Sequence, residues 1–139
     1  MTRKALELLS ENEIKQVPRF IPKPTMGRVV SVYDGDTITI VSYLGAELYK
    51  FSVRVLGVDT PEMRGSSEYE KKLAVKAKNF VKLMCLDKVV ELKNHGKEKY
   101  GRVLADVFVD GVSIGRKLIE ADLAYEYSGG AKREWVCAD

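Results

Sequence analysis

Residues 28–62, RVVSVYDGDTITIVSYLGAELYKFSVRVLGVDTPE, decide the fold. Arg28 to Tyr33 is a run of β-branched and apolar types, Asp34-Gly35 is a turn signal, and Thr37 to Val41 resumes the run. That pattern predicts a β-hairpin. Gly45-Ala46 marks a second turn, and Tyr49 to Val58 reads as a third strand. Strand periodicity places Phe51, Val53 and Val55 on one face and Ser52, Arg54 and Leu56 on the other. Arg54 is therefore a charge inside a strongly apolar strand, a position that faces solvent or a functional cleft. Pro61 stops the strand.

Downstream, Ser67-Glu68-Tyr69-Glu70 has capping-box spacing and opens a helix that runs to about Leu86. Tyr69, Leu73, Ala77, Phe80 or Val81, and Met84 recur at steps of three or four and form the predicted buried stripe, with Lys71, Lys72, Lys76, Lys78 and Lys82 mostly facing out. Val89 to Leu92 reads as a fourth strand, Lys93 to Tyr100 as a polar loop and Arg102 to Val109 as a fifth strand. Asp110-Gly111 turns into a short Val-Ser-Ile piece, Gly115 to Ala121 looks helical, Leu123 to Tyr127 is extended, and Gly129-Gly130 breaks into a polar tail. Three strands, a helix, two strands and a helix predict an α+β fold that is mainly β. It is a five-stranded, partly open Greek-key barrel of the OB-fold kind, with one helix between strands three and four and a short one after strand five. Upstream, residues 4–16 suit one short amphipathic helix with Ala5, Leu6, Leu9 and Ile14 on one side. Pro18, Pro22 and Pro24 make Val17 to Met26 an extended linker. The expected division is an arm and linker over residues 1–26 and a domain over residues 27–139.

A chain of 139 residues is one domain by size and long enough to bury a core without staples. The net charge is +3, from 23 Lys and Arg against 20 Asp and Glu, which leans toward a polyanionic partner. Cys85 and Cys137 read as a buried helix thiol and an exposed tail thiol; they form no disulfide framework, and no Cys/His spacing suits zinc. His95, between Asn94 and Gly96, reads as a turn residue and is the sole candidate for an imidazole base. No stretch approaches the ~20 apolar residues of a membrane span. Met1 to Gln16 lacks the apolar core of a secretory signal, so an intracellular protein is expected, or a secreted one whose signal has been removed.

The chemistry gathers in three segments: Asp34-Gly35-Asp36-Thr37, then Arg54 with Asp59-Thr60-Pro61-Glu62, then Lys99-Tyr100-Gly101-Arg102. Asp34 belongs to the turn. Asp36 opens strand two and Asp59 ends strand three; antiparallel neighbours bring the two carboxylates to one end of the sheet. Such a pair raises one pKa unless a cation compensates. Oxygen ligands favour Ca²⁺ or Mg²⁺, and Thr60 can add its carbonyl. Glu62, after the rigid Pro61, can orient or deprotonate a water. Arg54 and Arg102 match the charge that builds on phosphoryl oxygens. Each residue alone reads as an ordinary turn or surface charge; together they are what metal-assisted attack on a phosphodiester requires.

The motifs Val-Tyr-Asp-Gly-Asp-Thr, Arg-Val-Leu-Gly-Val-Asp-Thr-Pro-Glu and Lys-Tyr-Gly-Arg followed by an apolar strand make the chain resemble the staphylococcal (micrococcal) nuclease, or thermonuclease-like, family from Gly27 to Tyr127. The resemblance implies Ca²⁺ held by Asp36, Asp59 and the Thr60 carbonyl, and a catalytic trio of Arg54, Glu62 and Arg102. It implies an endonuclease that cleaves DNA and RNA with little base preference at the P–O5′ bond, leaves 3′-phosphate ends, favours single-stranded or frayed regions and acts as a monomer away from membranes. Lys99 and Tyr100 would grip the terminal phosphate and sugar. Tyr125 and Tyr127 would line the nucleotide pocket, where aromatics can stack on a base. Three features depart from the family. Met63-Arg64-Gly65 replaces a longer mobile loop that carries a lysine, and Arg64 is the candidate substitute. The tail after Tyr127 is short, and the N-terminal arm has no counterpart. The alternative is a non-catalytic module binding nucleic acid or peptide; such modules typically lack the carboxylates or arginines, and all six core positions are present here.

Overall fold

The computed structural model describes residues 2–96 and 101–136; the expectations for Lys99, Tyr100 and Cys137 lie outside them. Strand β1 (Met26–Asp34) pairs antiparallel with β2 (Thr37–Leu44), and β2 with β3 (Glu47–Val55). The turns fall where Asp34-Gly35 and Gly45-Ala46 predict them. On the other side of β1 lies β5 (Val89–Lys93), which pairs antiparallel with β6 (Val103–Val109). Parallel pairing of β6 with β3, Val53 opposite Val103 and Val55 opposite Ala105, closes a five-stranded OB-fold barrel. Alternate residues point inward, so Val29, Ile38, Ile40, Val53, Val55, Val90, Val107 and their neighbours form one buried core.

The third strand is shorter than predicted. β3 ends at Val55, the chain bends at Gly57, whose φ is +80°, and a separate two-residue β4 (Val58–Asp59) follows. A left-handed φ suits glycine, and it carries Asp59 off the barrel wall. β4 pairs with β8 (Tyr125–Glu126), the extended piece near the end of the chain.

The helix between strands three and four spans Glu68–Cys85 (α3), with Ser67 as its N-cap. Its buried line is Glu70, Ala74, Ala77, Val81 and Cys85, about one position round from the predicted stripe. Leu73, Phe80 and Met84 pack along its edges. The alanines let the helix approach the barrel closely, which leaves the larger side chains to its flanks. After β6, Val112–Ser113 (β7) leads into α4 (Ile114–Glu120), which buries Ile114 and Leu118.

The arm forms two helices, α1 (Arg3–Glu7) and α2 (Glu11–Gln16), where one was expected. Ser10 takes the extended conformation of an N-cap and starts α2 afresh. Neither helix has a buried residue. His95 is more than a turn residue, since its Nε2 stands 2.7 Å from the carbonyl oxygen of Pro24 and ties the linker to the barrel.

Candidate active site

Asp36 sits at the β1–β2 turn, where the Asp34 carboxylate accepts the Asp36 backbone N–H at 3.1 Å. A Cβ on Gly35 would stand 2.9 Å from that of Ala77 and 3.0 Å from that of Thr60, so this turn is packed against α3 and the end of β4. The Thr37 hydroxyl donates to Asp36 Oδ1 at 3.1 Å, and the Thr60 N–H lies 3.4 Å from Oδ2. Asp59 is 2% exposed, and its Oδ2 accepts the Tyr125 hydroxyl at 2.8 Å. The two carboxylates predicted to meet do so across Arg54, whose Nη2 is 3.4 Å from Asp36 Oδ2 and 3.4 Å from Asp59 Oδ1. Register places Arg54 opposite Thr37 on β2, and its Nη1 donates to the carbonyls of Val55 and Val58. The guanidinium thus ties the end of β3 to β4 while it neutralises the acidic pair.

Burial, then the charge of Asp36 beside it, pushes the Asp34 carboxyl up to about 7. Asp34 thus stands beside Asp36 and lines the same cleft, as well as forming the turn. Burial first, and then the bond to Asp59, raises the Tyr125 phenol, which keeps it a donor.

Glu62 is held differently. Its backbone N–H donates to Glu70 Oε2 at 2.9 Å, and its carbonyl accepts the Gly65 N–H at 2.9 Å. Its side chain is half-exposed, with Oε1 2.8 Å from Lys132 Nζ, which also lies 3.4 Å from Asp59 Oδ1. The bond to Glu62 is the main reason that the Lys132 ammonium is pushed up to about 12. Arg102 lines a cleft of about 520 Å³ with Asp36, Arg54, Glu62, Arg64 and Lys132. Asp59 and Thr60 are buried, and Asp59 lines an adjoining cavity of about 340 Å³ that shares Glu62, Arg64 and Lys132 with the cleft. A larger cavity of about 670 Å³, between the linker and β2, contains no carboxylate that could position a water or a cation.

Tyr125 and Tyr127 do not line the cleft that holds Arg102. Tyr125 is buried, with Arg133 4.8 Å over its ring and the Trp135 ring 5.4 Å away. Tyr127 lines a separate cavity of about 560 Å³ with Gly57, Arg116 and Arg133. Sequence reasoning missed Glu70, Lys132 and the support Tyr125 gives Asp59. Glu70 carried a signal, the capping box; Lys132 carried none beyond a basic tail.

Among the described residues no three His, Cys, Asp or Glu side chains stand together as a ready metal cage. The residues present nevertheless fit a hard divalent ion. Two nearly buried carboxylates converge on Arg54, and Thr60 beside them has a buried hydroxyl with no hydrogen-bond partner among the described residues. Oxygen donors of this type suit Ca²⁺ or Mg²⁺ completed by water.

A small OB-fold barrel with an acidic pair held by one arginine, and a second arginine and a half-exposed glutamate at the adjoining cleft, defines a phosphate-chemistry class of site. The family model for staphylococcal nuclease homologues matches residues 52–134, and the chain belongs to that family. It is 35% identical over 105 residues to the endonuclease YncB of Bacillus subtilis, covering 71% of this chain and 48% of that protein. It is 28% identical over 102 residues to an uncharacterized endonuclease of Escherichia coli, covering 73% and 60%. It is 32% identical over 122 residues to an uncharacterized protein of Methanocaldococcus jannaschii, covering 73% and 57%. The chain thus spans about half to three fifths of the length of these relatives. Membership supports nuclease-type function in general. Among the described residues no helix is long and apolar enough to cross a membrane.

Proposed function

We propose that the protein is a Ca²⁺-dependent, sugar-nonspecific endonuclease that hydrolyses DNA and RNA, preferring single-stranded or frayed regions, and leaves 3′-phosphate ends. The observation that carries this reading is the convergence of Asp36 and Asp59 on Arg54, with Glu62 and Arg102 lining the same cleft. Asp36, Asp59 and the Thr60 carbonyl would hold the cation. Bound there, Ca²⁺ supplies charge neutralisation for the phosphodiester and a fixed position for water.

The chain's own groups do the rest. The Glu62 carboxylate, exposed in the cleft, accepts a proton from the attacking water. The water oxygen bonds to phosphorus while the P–O5′ bond breaks, and the 5′ oxygen leaves with a proton from solvent. Arg102 and Arg54 face the phosphoryl oxygens on which charge builds. Lys132, now paired with Glu62 and Asp59, must release Glu62 when cation and substrate arrive.

Incubation with single-stranded DNA and with RNA, in Ca²⁺ and in excess chelator, tests this with 3′-end analysis of the products. Cleavage in Ca²⁺ alone with 3′-phosphates is the expected result. Glu62→Gln should lower the rate by about 10²–10⁴-fold while polymer binding persists. Binding without any cleavage overturns the reading in favour of a binding module.

A further inference from the structure

Glu62 is a half-exposed side chain at the mouth of a cleft, so packing does little to aim it. Its main chain, by contrast, is fixed on both sides. The Gly65 N–H closes a turn on the Glu62 carbonyl at 2.9 Å, and Glu70 Oε2 accepts the Glu62 N–H at 2.9 Å from eight residues downstream. Glu70 is 9% exposed and is the one charged side chain on the buried line of α3.

The position of Glu70 in its helix makes that contact unusual. Ser67 caps α3 and accepts the Glu70 N–H at 3.1 Å, as a capping serine does. A capping box would send the Glu70 carboxylate back to the Ser67 N–H. Glu70 spends its carboxylate on Glu62 instead. The chain also makes room for it, since a Cβ at Gly65 would stand 2.5 Å from Glu70 Cδ and 2.8 Å from Oε1. Gly65 is therefore tailored to the carboxylate beside it.

We propose that Glu70 is a positioning residue: its buried carboxylate, acting through the backbone amide of Glu62, sets where the Glu62 carboxylate stands in the cleft. This rests on the reading of Glu62 as the group that takes the proton from water. Reacting groups must be held to within about 0.5 Å, and a supporting residue that fixes an exposed one is worth roughly 10–100-fold by analogy with the partners of metal ligands. A charged acceptor holds an N–H more firmly than an amide does.

The test compares kcat and KM on single-stranded DNA in Ca²⁺ for Glu70→Gln, alone and combined with Glu62→Gln. Glu70→Gln should lower kcat about tenfold with KM unchanged, and should lower nothing further when Glu62 is already glutamine. The ¹⁵N–¹H signal of Glu62 should shift in Glu70→Gln, and its amide should exchange faster. If Glu70→Gln folds poorly, Glu70→Asp, one methylene shorter, should show the same pattern. An equal loss in both Glu62 backgrounds, or no loss in either, overturns the role of Glu70 and leaves that of Glu62 intact. A Glu62→Gln protein that cleaves at the wild-type rate overturns both.

Discussion

Two stretches of this chain, Ser10-Glu11-Asn12-Glu13 and Ser67-Glu68-Tyr69-Glu70, carry the same capping signal and end up in different structures. At α2 the box closes on itself: Ser10 Oγ accepts from Glu13 N at 3.1 Å, and Glu13 Oε1 accepts from Ser10 N at 3.3 Å. That helix has no buried residue. At α3 only the serine half forms, and the glutamate leaves its helix to hold the backbone of Glu62. Glu13 stands in water on a helix with no buried residue, whereas Glu70 is buried beside an N–H that would otherwise need another partner. The same four-residue spacing therefore yields a local cap on the arm and a long-range strut in the barrel. Burial makes the difference, because an unpaired polar group costs little in water and about 1–3 kcal/mol inside.

The sharpest way to break the comparison is Gly65→Ala. The added methyl must displace the Glu70 carboxyl. Cleavage should fall by about 10²-fold, and stability by about 1–3 kcal/mol in urea unfolding. Glu13→Ala, the matching insult to the other cap, should leave the cleavage rate unchanged.

At its far end α3 buries Cys85, whose thiol is pushed up to about 11 by burial. The ordinary value is 9.0, so the folded state holds its proton more tightly than the unfolded chain. That stabilisation is complete below pH 9.0 and is lost as pH rises through about 11. It amounts to on the order of 2 kcal/mol, and Cys85→Ala should flatten the alkaline fall in stability by a similar amount. A fall of the same steepness in both proteins would assign it to other groups.

Smaller effects follow at the caps. Ser67→Ala should cost about 1 kcal/mol in global stability, whereas Ser10→Ala should leave the unfolding midpoint where it is and reduce only the helical signal of the arm. Smallest of all, removal of residues 2–16 should change the unfolding free energy by less than about 0.5 kcal/mol, since neither arm helix has a buried residue. A large drop would show that the arm packs in solution on a surface it leaves open here.

Much of the barrel was legible because its signals are local. Turn residues at Asp34-Gly35 and Gly45-Ala46, alternation in β2 and β3, and Pro61 each act over a few positions. The meeting of Asp36 with Asp59 was legible only in part: antiparallel β2 and β3 bring Asp36 beside Arg54, but Asp59 reaches them from β4, beyond the bend at Gly57. The bend at Gly57 was not legible, because a glycine within an apolar run is compatible with a continuous strand. The buried line of α3 was misread by about one position, because periodicity locates a stripe but leaves open which of its alanines lets the helix approach. The tail over the cleft was invisible for a similar reason: Lys132 meets Glu62 from 70 positions away, and no spacing rule spans that distance.

The sequence by itself determined the barrel's strands and turns, the helix after Pro61 and the carboxylates and arginines of the cleft, since propensity, alternation and turn chemistry act between near neighbours. Tertiary structure alone decided that Arg54 ties two carboxylates and two carbonyls together, that Tyr125 supports Asp59, and that Glu70 serves Glu62 in place of its own cap. Those outcomes depend on which polar groups are left to pair once water is excluded, and only the packed barrel excludes it.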